Sequence, residues 1–206
     1  MLTYSGSLIS QIQPTKDLAF DIPTSQPGIK SFTGGRHTLV ITNADGSITS
    51  FGRQQGIECV TPQSAINIKK VSAKWDNVLA LNLDGDVIPW EANRLGLDEV
   101  NNLPKAKDLE VGGIASIIIT EDDYAVTFGF FLSKTPATLG KVKKVSCGFL
   151  NAAAIALDGT VSYWGLATGS PTEWKLEGAV DCELIALSGN HGYAVNSSGE
   201  LLSWDM

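Results

Sequence analysis

The chain is poor in the residues that carry chemistry or cross-links. Its 206 residues include three cysteines, two histidines and two methionines. Cys59, Cys147 and Cys182 are odd in number and too far apart for a metal-binding or redox pair. A disulfide framework is therefore not expected, and a reducing compartment is expected. Positive charge is also scarce. Fifteen basic residues face 22 acidic ones, for a net charge of −7. Nucleic-acid binders need a basic footprint, because phosphate contacts dominate their affinity. The one lysine cluster, "GKVKKV" at 140–145, reads as a solvated edge or linking strand. No apolar run approaches the ~20 residues of a membrane span. "SIIIT" at 116–120 suits a buried strand. The first residues, "MLTYSGSLISQIQP", lack the basic start and apolar stretch of an export signal. The expectation is a cytoplasmic or particle-associated protein, without nucleic acid and without membrane insertion.

Motifs for catalysis are missing as well. There is no strand-turn-helix serine elbow, no phosphate loop, no zinc-spaced His/Cys set and no complete calcium loop. "NLDGD" at 82–86 has part of a calcium loop's acid spacing, but the same turn recurs without the extra carboxylate. His37 and His191, each two residues after a glycine, read as structural hydrogen-bonding residues. No nucleophile or orienting partner accompanies them. No cofactor and no metal are expected, and the chain is not expected to be an enzyme.

Glycine, at 21 residues, is abundant, and it follows a pattern. The phrases "VITNADGSITSFG", "LNLDGDVIPWE", "IITEDDYAVTFG", "IALDGTVSYWG" and "VNSSGELLSWD" share one plan. The first turn position falls at Asp45, Asp84, Asp122, Asp158 and Ser198, with spacings of 39, 38, 36 and 40. Six residues on comes an aromatic: Phe51, Trp90, Phe128, Trp164, Trp204. Asp-Gly between apolar arms signals a two-residue type I′ hairpin. That register places Ala153 opposite Trp164 and Ala156 opposite Val161. Both faces of each hairpin are apolar, so each small sheet must be sandwiched between two others.

A period near 40 residues, all strand, with one aromatic and one glycine turn per unit, predicts an all-β fold. The predicted architecture is a single β-propeller of about five antiparallel blades, or six if residues 15–30 hold a degenerate one. The repeats fall at about 29–67, 68–106, 107–142, 143–181 and 182–206, after a closing strand and linker over 1–28. The last repeat ends after its hairpin, and "SLISQIQP" is expected to complete it and close the ring.

Eleven residues before the second turn position lies a small site: Gly35, Gly112, Gly148 and Ser188, with Lys74 in the second repeat. The residues just after it, Arg36, Trp75, Phe149 and Asn190, should cluster in loops on one end of the ring. Large residues there are candidate binding residues. Phe130 and Phe131 in "FGFFLS" form a second candidate patch. The aromatics of the repeat are assigned to the core, and Cys147 reads as a small buried residue.

The segments "GGRHTLVITNADGSITSFG", "VSCGFLNAAAIALDGTVSYWG" and "SGNHGYAVNSSGELLSWD" resemble repeats of the regulator of chromosome condensation superfamily. The short period is closest to its β-lactamase inhibitor protein II branch. The resemblance covers about residues 29–206. It implies a propeller that binds other proteins through loops at one end. The expected function is non-enzymatic: a structural or adaptor subunit of a large assembly, with a virus particle as the favoured setting. The alternatives are a proteinaceous enzyme inhibitor, as the resemblance implies, and a carbohydrate-binding module.

Overall fold

The computed structural model describes residues 8–9, 25–26, 28–35, 38–52, 61–75, 77–90, 97–129, 134–165 and 170–205. Strands β1 (Leu8–Ile9) and β2 (Ser25–Gln26) pair with each other. Five antiparallel sheets follow, one per repeat. Sheet I holds β3 (Ile29–Gly34), β4 (Thr38–Asn43) and β5 (Ile48–Gly52). Sheet II holds β6 (Ile68–Lys74), β7 (Asn77–Asn82) and β8 (Val87–Pro89), and the helix α1 (Leu97–Asn101) follows it. Sheet III holds β9 (Ala106–Val111), β10 (Ala115–Thr120) and β11 (Ala125–Gly129). Sheet IV holds β12 (Val142–Cys147), β13 (Asn151–Ala156), β14 (Val161–Gly165) and β15 (Ser170–Lys175). Sheet V holds β16 (Cys182–Ser188), β17 (His191–Asn196) and β18 (Leu201–Asp205).

All five turns have the same geometry, and it differs from the expected one. Gly159 N–H donates to Ala156 O, and Ala156 N–H donates to Thr160 O. The loop therefore has three residues, a type I turn closed by a left-handed residue. That residue is Gly46, Gly85, Gly159 or Gly199, with φ of +81° to +86°. In sheet III it is Asp123, at +76°. The extra loop residue shifts the ladder by one: Ala152, not Ala153, lies opposite Trp164, and Ile155 lies opposite Val161. A shift of one residue changes which side chains meet across the strands.

The sheets are sandwiched. One core joins sheets I and II through Val40, Val71, Ala80 and Trp90. Another joins II and III through Leu79, Leu81, Leu109 and Phe128. A third joins III and IV through Ile117, Ile119, Ala154 and Trp164. The last joins IV and V through Ala153, Ile155, Ala194 and Trp204. Trp90, Phe128, Trp164 and Trp204 are all buried in these cores, and Phe51 packs against Ile29 and Ile41. Cys147 is buried too, and burial pushes its thiol well above the ordinary value.

The first strands of successive sheets pack on one another and form the inside of the array. A free strand edge would leave backbone N–H groups unpaired. Here a hydroxyl of the preceding sheet meets them. Ala73 N–H donates to Thr33 Oγ1 at 3.0 Å, Val111 N–H to Ser72 Oγ at 3.1 Å, and Leu187 N–H to Ser146 Oγ at 3.0 Å. Lys70 adds ion pairs from sheet II to Asp108 and Glu110 of sheet III, at 2.9 and 2.7 Å. Burial acts to lower its pKa, but the two carboxylates outweigh that and hold it above the ordinary value.

The expected ring closure is not what the described residues form. Leu8–Ile9 pairs with Ser25–Gln26, and the described residues give sheet V three strands. The remainder of residues 1–27 lies outside the described residues. Among the described residues, no helix is long and apolar enough to cross a membrane.

Candidate functional site

The two ends of the strands differ. At one end lie the five Asp-Gly-type turns. At the other, each first strand runs into its small site and a short loop. Glycine is required there by contact. A Cβ on Gly112 would lie 2.5 Å from both Ala115 O and Gly148 O. A Cβ on Gly35 would collide with Trp75 O, and one on Gly148 would lie 2.8 Å from Gly189 O. The backbones of neighbouring sheets converge at this end.

Lys74 replaces glycine in sheet II, and its side chain crosses the convergence. Its Nζ donates to Cys147 O at 2.6 Å and to Leu187 O at 2.8 Å. One ammonium thus ties sheet II to sheets IV and V. Burial lowers its pKa, and no carboxylate pairs with it among the described residues. Sequence reasoning noted Lys74 only as a departure from the pattern. The signal was there, because a long cation stands where the repeat wants no side chain. Asn77 Nδ2 donates to Gly112 O and Gly113 O, and Asn151 Nδ2 donates to Gly189 O, fastening the same loops.

Two of the expected residues meet at this end. Trp75 and Phe149 meet edge to face, with ring centroids 5.2 Å apart and planes at 61°. They come from sheets II and IV and meet over sheet III, where the Phe149 ring fills the space a Cβ on Gly113 would take. Both stay open to solvent, at 45% and 38% of their surface. Trp75 has φ of +54°, a left-handed conformation that a bulky side chain rarely adopts. Asn190, the third expected residue, is exposed in the β16–β17 turn. Arg36, Phe130 and Phe131 lie outside the described residues, as does His37.

His191 is not the repeat equivalent of His37. The ladder pairs Thr38 with Gly52 and His191 with Asp205, so Thr38 holds the matching place. His191 Nδ1 lies 2.5 Å from Asp205 Oδ1 on an exposed edge. Among the described residues, no three His, Cys, Asp or Glu side chains gather as metal ligands. A cavity of about 330 Å³ lies beside sheet IV, lined by Leu139, Leu157, Glu173 and Lys175 among others. Burial there opposes the Glu173 charge, but hydrogen bonds from Ser162 (2.7 Å) and Thr138 (2.6 Å) prevail and lower its pKa.

No family model matches the chain. A 165-residue stretch is 27% identical to a Dictyostelium discoideum bifunctional serine/threonine-protein kinase/NEDD4-like E3 ubiquitin-protein ligase, covering 69% of this chain and 8% of that protein. Human WBSCR16 superposes with a TM-score of 0.70 at 13% identity, over 82% of this chain and 58% of its own. Yeast RCC1 (Prp20), solved with Kap60, gives 0.67 at 14% identity, over 86% and 56%. The CRINKLY WD40 ectodomain of the Arabidopsis thaliana receptor kinase ACR4 gives 0.67 at 18% identity, over 91% and 69%. The fold is an RCC1-like β-propeller fold. The chain spans a little over half the length of WBSCR16 and Prp20.

Proposed function

We propose that this chain is a non-enzymatic protein-interaction propeller that docks through the end carrying Trp75 and Phe149, as a subunit of a larger assembly. The observation that carries this reading is the Trp75–Phe149 pair: two large aromatics, exposed side by side, one of them on a left-handed backbone. Strain of that kind persists where the surroundings enforce it, and it collects at functional positions. Aromatic anchors ringed by less critical residues are the usual centre of a protein interface. Lys74, next to Trp75 in the chain, holds the sheets that carry the pair together. Similarity in fold to yeast RCC1, which was solved bound to the protein Kap60, points the same way by analogy.

The test is co-sedimentation of the native chain from its source, with mass spectrometry of what travels with it. Recovery with a large particle supports the assembly reading. A chain that runs alone points to a soluble enzyme target instead. Trp75→Gly and Phe149→Ala then separate docking from folding. Glycine relieves the left-handed strain while the aromatic contact, worth about 0.5–1.5 kcal/mol, is lost. Stability is expected to change by less than about 1 kcal/mol, whereas partner recovery falls at least tenfold. Unchanged recovery in both variants refutes docking at this end.

A further inference from the structure

Sheet IV departs from the repeat beside its turn, at the end of the strands opposite Trp75 and Phe149. Among the described residues it is the one sheet with a fourth strand, β15. The second residue of the third strand is Ile88, Val126 and Leu202 in sheets II, III and V, and Thr49 in sheet I. In sheet IV it is Ser162, which is buried. Its hydroxyl donates to Glu173 Oε1 on β15 at 2.7 Å. The other carboxylate oxygen, Oε2, accepts from Thr138 Oγ1 at 2.6 Å, which ties β15 to the loop before β12. A hydroxyl turned to a carboxylate stabilises a core less than an apolar side chain does, so this place serves something other than packing.

These residues line the cavity of about 330 Å³ beside sheet IV, and the lining has a definite hydrogen-bonding character. Ser162 and Thr138 use their hydroxyl hydrogens on Glu173, and Thr160 uses its own on Asp158 Oδ1 at 2.8 Å. A hydroxyl whose hydrogen is committed has only lone pairs left to offer. Each Glu173 oxygen, with one bond accepted, keeps room for a second. The lining is therefore rich in acceptors, and it suits a ligand rich in donors. The charged lining residues are Lys141, Lys175, Asp158 and Glu173, whose formal charges cancel. No net field draws an ion of either sign. An anion would bring further acceptors to an acceptor-rich wall, and a cation would face two ammonium groups.

We infer that this cavity binds a neutral sugar, through two neighbouring hydroxyl groups that donate to the two oxygens of Glu173. A vicinal diol supplies two donors side by side and carries no charge, which is what the lining asks for. The two hydroxyls that already hold Glu173 fix the carboxylate in place, so little side-chain freedom is lost on binding. Lys175 is the donor for a sugar oxygen. Leu157, exposed in the turn of sheet IV, offers an apolar surface to the C–H face of the ring. The volume falls at the small end of ligand pockets, which run from about 300 Å³ upward, and it matches a small ligand. The site is separate from the aromatic pair and adds to the proposed docking function.

The experiment is saturation-transfer NMR of the full chain with the methyl glycosides of glucose, galactose, mannose and N-acetylglucosamine. Transfer to the ring protons of at least one glycoside is expected, and a titration gives its Kd. Glu173→Gln replaces an acceptor oxygen by a donor and should raise that Kd about tenfold. Thr138→Val, at an exposed position, frees one carboxylate oxygen and should raise it about threefold. Circular dichroism of each variant checks that the fold is kept. Absence of transfer to all four glycosides overturns the inference. So does a Kd indifferent to both variants. Inorganic phosphate and free arginine are the charged probes, and displacement of the sugar by either at equal concentration overturns the assignment of a neutral ligand. Trp75→Gly is the separate control: partner docking lost with sugar binding intact keeps this inference distinct from the proposed function.

Discussion

The turn end and the glycine end of the same strands obey opposite rules. At the turn end the repeat is uniform. The N–H groups of Ala44, Leu83, Glu121, Leu157 and Ser197 donate to the carbonyls of Gly28, Asn67, Lys105, Lys141 and Asp181, one identical bond per sheet. Three of the turns also accept from the next sheet: Ala106 N–H to Gly85 O, Val142 N–H to Asp123 O, and Cys182 N–H to Gly159 O. At the glycine end three repeats keep the glycine, at Gly35, Gly112 and Gly148, and two depart from it, with Lys74 and with Ser188 before Gly189. Uniformity marks the part that assembles the array. Departure marks the part free to carry a specific surface, because the array is already fixed from the other end.

The largest effect should come from breaking the convergence at the glycine end. Gly112→Val drives a side chain into two carbonyl oxygens and the Cys147 Cβ, 2.9 Å from its own Cβ. Overpacking against backbone is expected to cost about 3 kcal/mol, read from urea unfolding. Lys74→Met comes next. It leaves Cys147 O and Leu187 O without their donor, at a cost of about 1–3 kcal/mol. It also changes the pH dependence. Lys74 binds its proton less tightly when folded, so just below pH 10.5 the unfolded chain holds more protons and stability rises with pH. Lys74→Met removes that rise, which unfolding midpoints measured up to pH 10.5 can detect.

Ser146→Ala removes the hydroxyl that accepts from Leu187 N–H and should cost about 1 kcal/mol. Sheet III offers the contrast. Glu110 stands at the Ser146 place but turns back to Lys70, so its replacement by Gln acts through the Lys70 ion pair. The smallest effect belongs to the turns. Ser47 and Thr160 donate to Asp45 and Asp158 and lower their pKa values below the usual carboxylate range. Their contribution is present above the unfolded value near 3.8 and is lost as pH falls through the folded values. Ser47→Ala and Thr160→Ala should lower neutral-pH stability slightly and flatten the acid limb of stability against pH by the same small amount.

Much of the fold was legible because the repeat is written five times. Spacing located the turns, the buried aromatics and the sandwiched sheets. The turn type was not legible, because Asp-Gly serves both a two-residue I′ loop and a three-residue loop closed by glycine. Asp123, standing at the glycine place in sheet III with positive φ, shows the same single left-handed position. Of the candidate site, the expectation that Trp75 and Phe149 lie in loops at one end came from their shared place in the repeat. Their contact across sheet III did not, since it depends on how tightly the sheets converge.

By itself the sequence determined the period, the alternation of apolar arms and the place of every core aromatic, because those are local and repeat. Only the tertiary structure decided which irregular residues act together. Lys74 became a tie between three sheets through a carbonyl 113 residues away, and Leu184 was left 59% exposed on sheet V. Contacts at that separation are set by the curvature of the whole array, which no single repeat encodes.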